Sequence, residues 1–130
     1  MVTLYHFTSP KHVIGCRLTG LKYGMLPVND QPVKMLKGYQ WLTENCDKAQ
    51  SWNEGSSLPY DRTAFRLTVE IPKHGRSQLI KWVPWGRKLT RIADVLEEYG
   101  DPENWWLYRG RIPPTWITEA VDMRTQEVTP

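Results

Sequence analysis

The segment Thr63–Ile71 constrains the fold of this chain more than any other. Phe65, Leu67, Val69 and Ile71 alternate with Arg66, Thr68 and Glu70, the pattern of a strand with one face on a core and one on solvent. Pro72 and Gly75 end it. Such a strand needs neighbours to pair with, and the chain offers four more: Leu4–Thr8, Tyr39–Thr43, Leu79–Val83 and Trp105–Arg109. A further strand is expected over Ile117–Val121 after the bend Gly110–Pro114.

Helices are fewer. Ser9-Pro10 reads as an N-cap followed by proline at the first helical position, opening a helix over about residues 10–19 with Val13, Ile14 and Leu18 at helical spacing. Lys48–Asn53 reads as a short helix capped by Asn45 or Asp47. Arg87–Tyr99 reads as an amphipathic helix with Leu89, Ile92, Val95, Leu96 and Tyr99 on one side and Gly100 at its end. Residues 21–38 read as a loop with room for one short strand or helical turn, 54–61 as a loop, and the polar tail 122–130 is expected to fray. Strands outnumber helices without alternating with them, which predicts an α+β class rather than a doubly wound one. The 130 residues suit one compact domain.

The charge of +3 is too mild to demand a nucleic acid. Cys16 and Cys46 lack metal-ligand spacing, and the histidines are scattered, so no metal site is expected. No secretory leader opens the chain and no apolar run reaches the roughly 20 residues of a membrane helix, so a reducing cytoplasm is the expected location. Cys46, beside a helix start, is a better candidate nucleophile than Cys16.

The amino-terminal run Tyr5-His6-Phe7-Thr8 is chemically the most distinctive. Alternation puts His6 and Thr8 on one face and Tyr5 and Phe7 on the other. With Tyr5 and Phe7 anchored in a core, His6 and Thr8 would look into whatever lies opposite. His6 alone would suit general acid–base chemistry near neutral pH, in a nucleic-acid-processing enzyme for instance.

Taken in order, Tyr5-His6-Phe7-Thr8, a helix finishing at Gly20-Leu21, the aromatic strand ending Trp41-Leu42-Thr43 and the segment Ile112-Pro113-Pro114-x-x-Ile117 resemble the ADP-ribosyltransferase-like superfamily. The resemblance spreads over most of the chain and rests on order and spacing. It implies split antiparallel sheets with short flanking helices, and NAD bound as substrate. Tyr5, His6 and Thr8 would lie at the nicotinamide-side ribose, with Trp41 and Thr43 shaping the nicotinamide pocket. Arg66 is added on physical grounds, because a guanidinium fork suits a pyrophosphate. The acceptor of ADP-ribose would be a protein or a nucleic acid.

The chain departs from that family at the glutamate expected before the Ile-Pro segment, where Trp105-Trp106-Leu107-Tyr108 stands instead. A cationic sugar transition state needs a carboxylate. Glu103 is the first substitute and Glu70 the second, with Glu44 and Glu119 behind them. Arg66, Arg109 and Arg111 would serve a phosphotransferase-like variant. The alternative is an inactive binding or inhibitor module that engages a nucleic acid or protein through a Trp/Arg surface. Lys81, Trp82, Trp85, Arg87, Lys88 and Arg91 are the best such patch, although most of the tryptophans are expected to be structural.

Overall fold

The computed structural model describes residues 1–47, 62–98 and 100–130. Among them, nine strands run as β1 (Val2–Thr8), β2 (Met25–Asp30), β3 (Val33–Lys37), β4 (Tyr39–Thr43), β5 (Phe65–Ile71), β6 (Leu79–Lys81), β7 (Trp105–Arg109), β8 (Ile117–Asp122) and β9 (Glu127–Thr129). Helix α1 covers Val13–Thr19 and α2 covers Ala93–Glu97. Seven strands form one antiparallel sheet in the order β6-β7-β4-β1-β5-β8-β9, and β2-β3 form a separate hairpin. The α+β class is therefore correct. The strands divide between one large sheet and a two-stranded hairpin.

Each face of the large sheet carries its own core. On the first face, Leu4, Leu42, Leu67, Val69, Ile71, Tyr108 and Ile112 pack together, with Val13 and Cys16 of α1 against them. On the second, Leu26, Trp82, Trp105 and Leu107 form a cluster that takes in Trp41, Leu36 and Leu96. Trp105 and Trp106 point to opposite faces, as alternation requires: Trp105 lies in the second core, and Trp106 packs on the first.

Over 21–38, where a loop with at most one short strand or helical turn is expected, the chain forms the hairpin β2–β3. Its strand pattern is hidden by Pro27, which lies within β2 opposite Met35. Proline has no N–H for a ladder, and the register slips between Pro27 and Asn29 to accommodate it. The expected helix 87–99 is divided. Gly86–Leu89 form a 3₁₀ turn, and the α-helix starts only at Ala93. Thr90 is the cause: its hydroxyl donates to Pro27 O at 2.7 Å and accepts from Ile92 N at 3.1 Å, while Arg91 N donates to Val28 O. These bonds tie the segment to the hairpin instead of letting it coil. Gly100 serves space rather than chain reversal, since a Cβ there would meet Trp105 Cζ2 at 2.3 Å.

At the amino-terminal helix, Ser9 O accepts from His12 N and Val13 N, and the Ser9 hydroxyl pairs with His12 Nδ1 instead of capping. The helix therefore begins at Val13. In the tail, Val128 pairs with Val121, and Arg17 donates to Thr129 O and Pro130 O at 3.1 and 2.7 Å. The expected helix Lys48–Asn53 and loop 54–61 lie outside the described residues.

The end of α1 and the Ile-Pro segment meet directly. Leu21 and Ile112 exchange both backbone hydrogen bonds at 2.9 Å, and the Arg111 guanidinium donates to Thr19 O. Gly20 turns the chain into this bridge at φ 83°, and a Cβ there would sit 2.1 Å from Ile112 O. Gly20→Ala is expected to cost about 2–4 kcal/mol in urea unfolding, through strain and collision together. Gly15→Ala, with open space around its Cβ, is the control and should be neutral or stabilising by up to ~1 kcal/mol.

Candidate functional site

Strand β1 is the centre of the sheet, but its two sides are unequal. It pairs with β5 along its whole length, from Val2↔Ile71 to Thr8↔Phe65. With β4 it shares the single register pair Tyr5↔Thr43. Beyond that pair the ladder is not continued toward Trp41, and His6 spans the seam: its Nδ1 lies 2.8 Å from Trp41 O. A carbonyl can only accept, so Nδ1 carries the hydrogen and Nε2 is left as the acceptor of a neutral ring. Burial holds the His6 pKa below its ordinary value, with Arg62's positive charge adding to that and the Trp41 carbonyl opposing it.

Register also decides which side chains share a face. His6 and Leu4 stand opposite Leu67 and Val69 of the first core. The expectation that Tyr5 and Phe7 anchor the core while His6 and Thr8 look away from it is thus reversed for the β1–β5 ladder, although Phe7 is itself buried. Thr8 is buried, and its hydroxyl contacts the Cys16 thiol. Burial pushes that thiol's pKa up, which rules against a thiolate nucleophile there.

Trp41 and Thr43 lie on the other face from His6 and Thr8. Trp41 donates its indole N–H to Met25 O at 3.0 Å and packs 5.0 Å from the Trp82 ring. Thr43 is buried and accepts from Asn45 N at 3.1 Å, closing the turn after β4. The candidate pocket residues are therefore separated by the sheet: Tyr5, Trp41, Thr43 and Arg66 on one side, His6 and Thr8 on the other.

The polar row that does form runs across the sheet on the Tyr5 side. Thr43 pairs with Tyr5, Tyr5 with Thr68, and Thr68 with Glu119. Four strands contribute one residue each, spanning roughly 14 Å at the usual interstrand spacing. The Thr68 hydroxyl donates to Glu119 Oε1 at 3.2 Å. A register shift in the β5–β8 ladder falls between Thr68 and Val69, next to this pair. The Arg66 guanidinium lies 5.2 Å from the Tyr5 ring centroid and donates through Nη1 to Cys46 O, while its buried Nε has no hydrogen-bond partner. This is the one buried, unpartnered side-chain nitrogen or oxygen among the described residues.

The other carboxylates divide by position. Glu70 stands beside Thr68 on the same face and accepts from Thr3 Oγ1 at 2.8 Å. Glu103 is exposed on the 3₁₀ turn Pro102–Asn104 just before β7. Glu44 accepts from Trp106 Nε1 at 2.9 Å and Lys81 Nζ at 3.1 Å. The indole N–H, followed by Lys81, holds its pKa below the usual carboxylate value. Glu119 was visible in the sequence as an acidic residue in a strand. Its place beside Tyr5 is visible only through pairing.

The basic-aromatic patch is partly dismantled. Trp82 is fully buried and donates to Glu97 at 2.7 Å, so it is a core residue. Arg87 is held by Glu97 and Asp94, and Lys81 by Glu44. Trp85, Lys88 and Arg91 stay at the surface. Cys46 is exposed, and its carbonyl serves Arg66. Arg109 and Arg111 are exposed, and Arg111 is occupied by Thr19. Among the described residues, no group of three His, Cys, Asp or Glu could hold a metal, and no helix is long and apolar enough to cross a membrane.

A histidine whose folded pKa is depressed binds its proton more readily in the unfolded chain, so it lowers stability as pH falls through the unfolded value of 6.5. Stability should therefore decline below pH 6.5. In His6→Asn, which keeps a donor for Trp41 O without titrating, that decline should be smaller, as read by urea midpoints at pH 5, 6 and 7.5. No family model, curated protein or solved structure matches the chain.

Proposed function

We propose that the chain is an ADP-ribosyltransferase-like domain that holds NAD against the Tyr5–Arg66 face of its sheet and transfers ADP-ribose to a protein or nucleic acid acceptor. The observation that carries this reading is the row Thr43–Tyr5–Thr68–Glu119 with the Arg66 guanidinium over Tyr5. Arg66 is a planar, permanently charged fork held at one end by a backbone carbonyl, which suits a pyrophosphate. Glu119, oriented by the Thr68 hydroxyl, is the carboxylate this reading assigns to the ribose, in place of Glu103. Glu70, on the same face, is second.

The chemistry asks for little more. The bond between the ribose anomeric carbon and the nicotinamide nitrogen breaks, and nicotinamide leaves with the electron pair. The acceptor's nucleophile then bonds to that carbon and gives up its proton. Between these events the sugar is cationic, and a carboxylate fixed nearby lowers its energy by an electrostatic contribution of several kcal/mol. In this reading His6 is a positioning residue: it bridges β1 to Trp41 O and so keeps Tyr5 in register with Thr43.

Tryptophan fluorescence tests binding, since Trp41 and Trp105 flank Thr43. NAD should quench it saturably, and Arg66→Ala should weaken the titration by about tenfold or more. Glu119→Gln should retain binding yet reduce transfer of label from NAD to lysate acceptors by about a hundredfold, while Glu103→Ala leaves transfer unchanged. No quenching up to millimolar NAD would overturn the proposal. Binding without transfer in the unaltered protein would leave the inactive-module alternative standing.

A further inference from the structure

The hairpin β2–β3 is flanked by two hollows whose charged lining, among the described residues, is cationic. The first, about 370 Å³, lies between the hairpin and the segment before α2, and is lined by Val28, Asn29, Lys34, Leu36, Leu89 and Arg91. The second, about 210 Å³, lies at the hairpin's base and is lined by Lys22, Tyr23, Gly24, Met25 and Lys37. Among the described residues, neither lining includes a carboxylate. Among the described residues, the side chains of Lys34 and Arg91 make no ion pair or hydrogen bond. Cations left unpaired beside a recess are ready to take an anion.

Two exposed aromatic rings with a lysine over one face belong to the same segments: Tyr23, which lines the second hollow, and Trp85, in the turn before Leu89 of the first. Tyr23 is 82% exposed and Lys22 Nζ lies 5.2 Å from its ring centroid. Trp85 is 62% exposed with Lys88 Nζ at 4.8 Å. Rings this open contribute little to the core. Met25 and Met35 leave apolar surface on the hairpin.

We infer that the hairpin and the Trp85–Arg91 segment form a binding surface for single-stranded nucleic acid. Two cationic recesses on a surface that also carries two open rings match the alternation of phosphate and base along one strand: the cations take phosphates and the rings stack bases. A duplex would keep its bases paired and leave the rings unused, and a small phosphorylated ligand would need only one of the two recesses. The surface shares no residue with the Tyr5–Arg66 row, although the hairpin packs on the same side of the sheet, and the inference does not depend on the NAD reading.

Fluorescence anisotropy with labelled 12-nucleotide oligothymidine and oligouridine, between 50 and 200 mM salt, tests the inference. Affinity should fall linearly on logarithmic axes, with a slope of about −0.7 per phosphate engaged. The pair Lys34→Glu and Arg91→Glu should weaken binding at least tenfold, and the slope should become shallower by about 1.4 if each cation meets one phosphate. Tyr23→Ala and Trp85→Ala should each weaken binding by about 5- to 150-fold with the slope unchanged. All four side chains are exposed, so thermal melts should confirm that the variants fold.

The inference is overturned if neither oligonucleotide binds at 50 mM salt, or if the charge or ring variants bind as the unaltered protein does. It is also overturned if phosphatidylserine vesicles or inorganic phosphate compete as well as unlabelled oligonucleotide per phosphate. Arg66→Ala, which tests the nucleotide face, should leave oligonucleotide binding intact, so the two proposals can fail separately.

Discussion

The architecture depends on the unequal pairing of its central strand. One side of β1 is sealed by a full ladder to β5, whereas the other is joined to β4 by one register pair and the His6 imidazole. Because β4 carries β7 and β6 with it, this narrow junction connects three strands to the rest of the sheet. A neutral imidazole is well suited to the place: it supplies one donor to a main-chain carbonyl without the desolvation cost of a buried charge. The second connection lies at the level of the loops, where Leu21 and Ile112 exchange hydrogen bonds and Gly20 makes the close approach possible.

The elements that could be read from the chain are those whose residues decide their own conformation. Strand β5 alternates without interruption, and β7 has the extent that Trp105–Arg109 suggested. The elements that could not be read are those settled by distant partners. Pro27 masks β2 until Met35 is seen opposite it. Thr90 interrupts a helix-like pattern because a hairpin carbonyl more than sixty residues away accepts its hydrogen bond. Strand β9 is polar and unremarkable alone, and is ordered by β8 and Arg17.

The same distinction governs the candidate site. Alternation correctly separates His6 from Tyr5, but alternation has no sign: it does not say which face meets the larger core. That sign comes from Leu67, Val69 and Ile71, which draw Leu4 and His6 toward themselves. Lateral neighbours are harder still, since the row from Thr43 to Glu119 exists only once the registers of four strands are known. The tryptophans illustrate the opposite case. Trp82, Trp41 and Trp105 cluster as large rings normally do in a core, with Glu97 and Asp101 accepting from the Trp82 and Trp105 indoles.

Both outermost strands of the large sheet, β6 and β9, are three residues long. A sheet margin offers unpaired amide and carbonyl groups as a template for other chains, and short margins offer few of them. At β9 the final carbonyls are further engaged by Arg17. The wide interior strands are thus kept away from the rim, which protects this sheet from growing by stacking copies edge to edge.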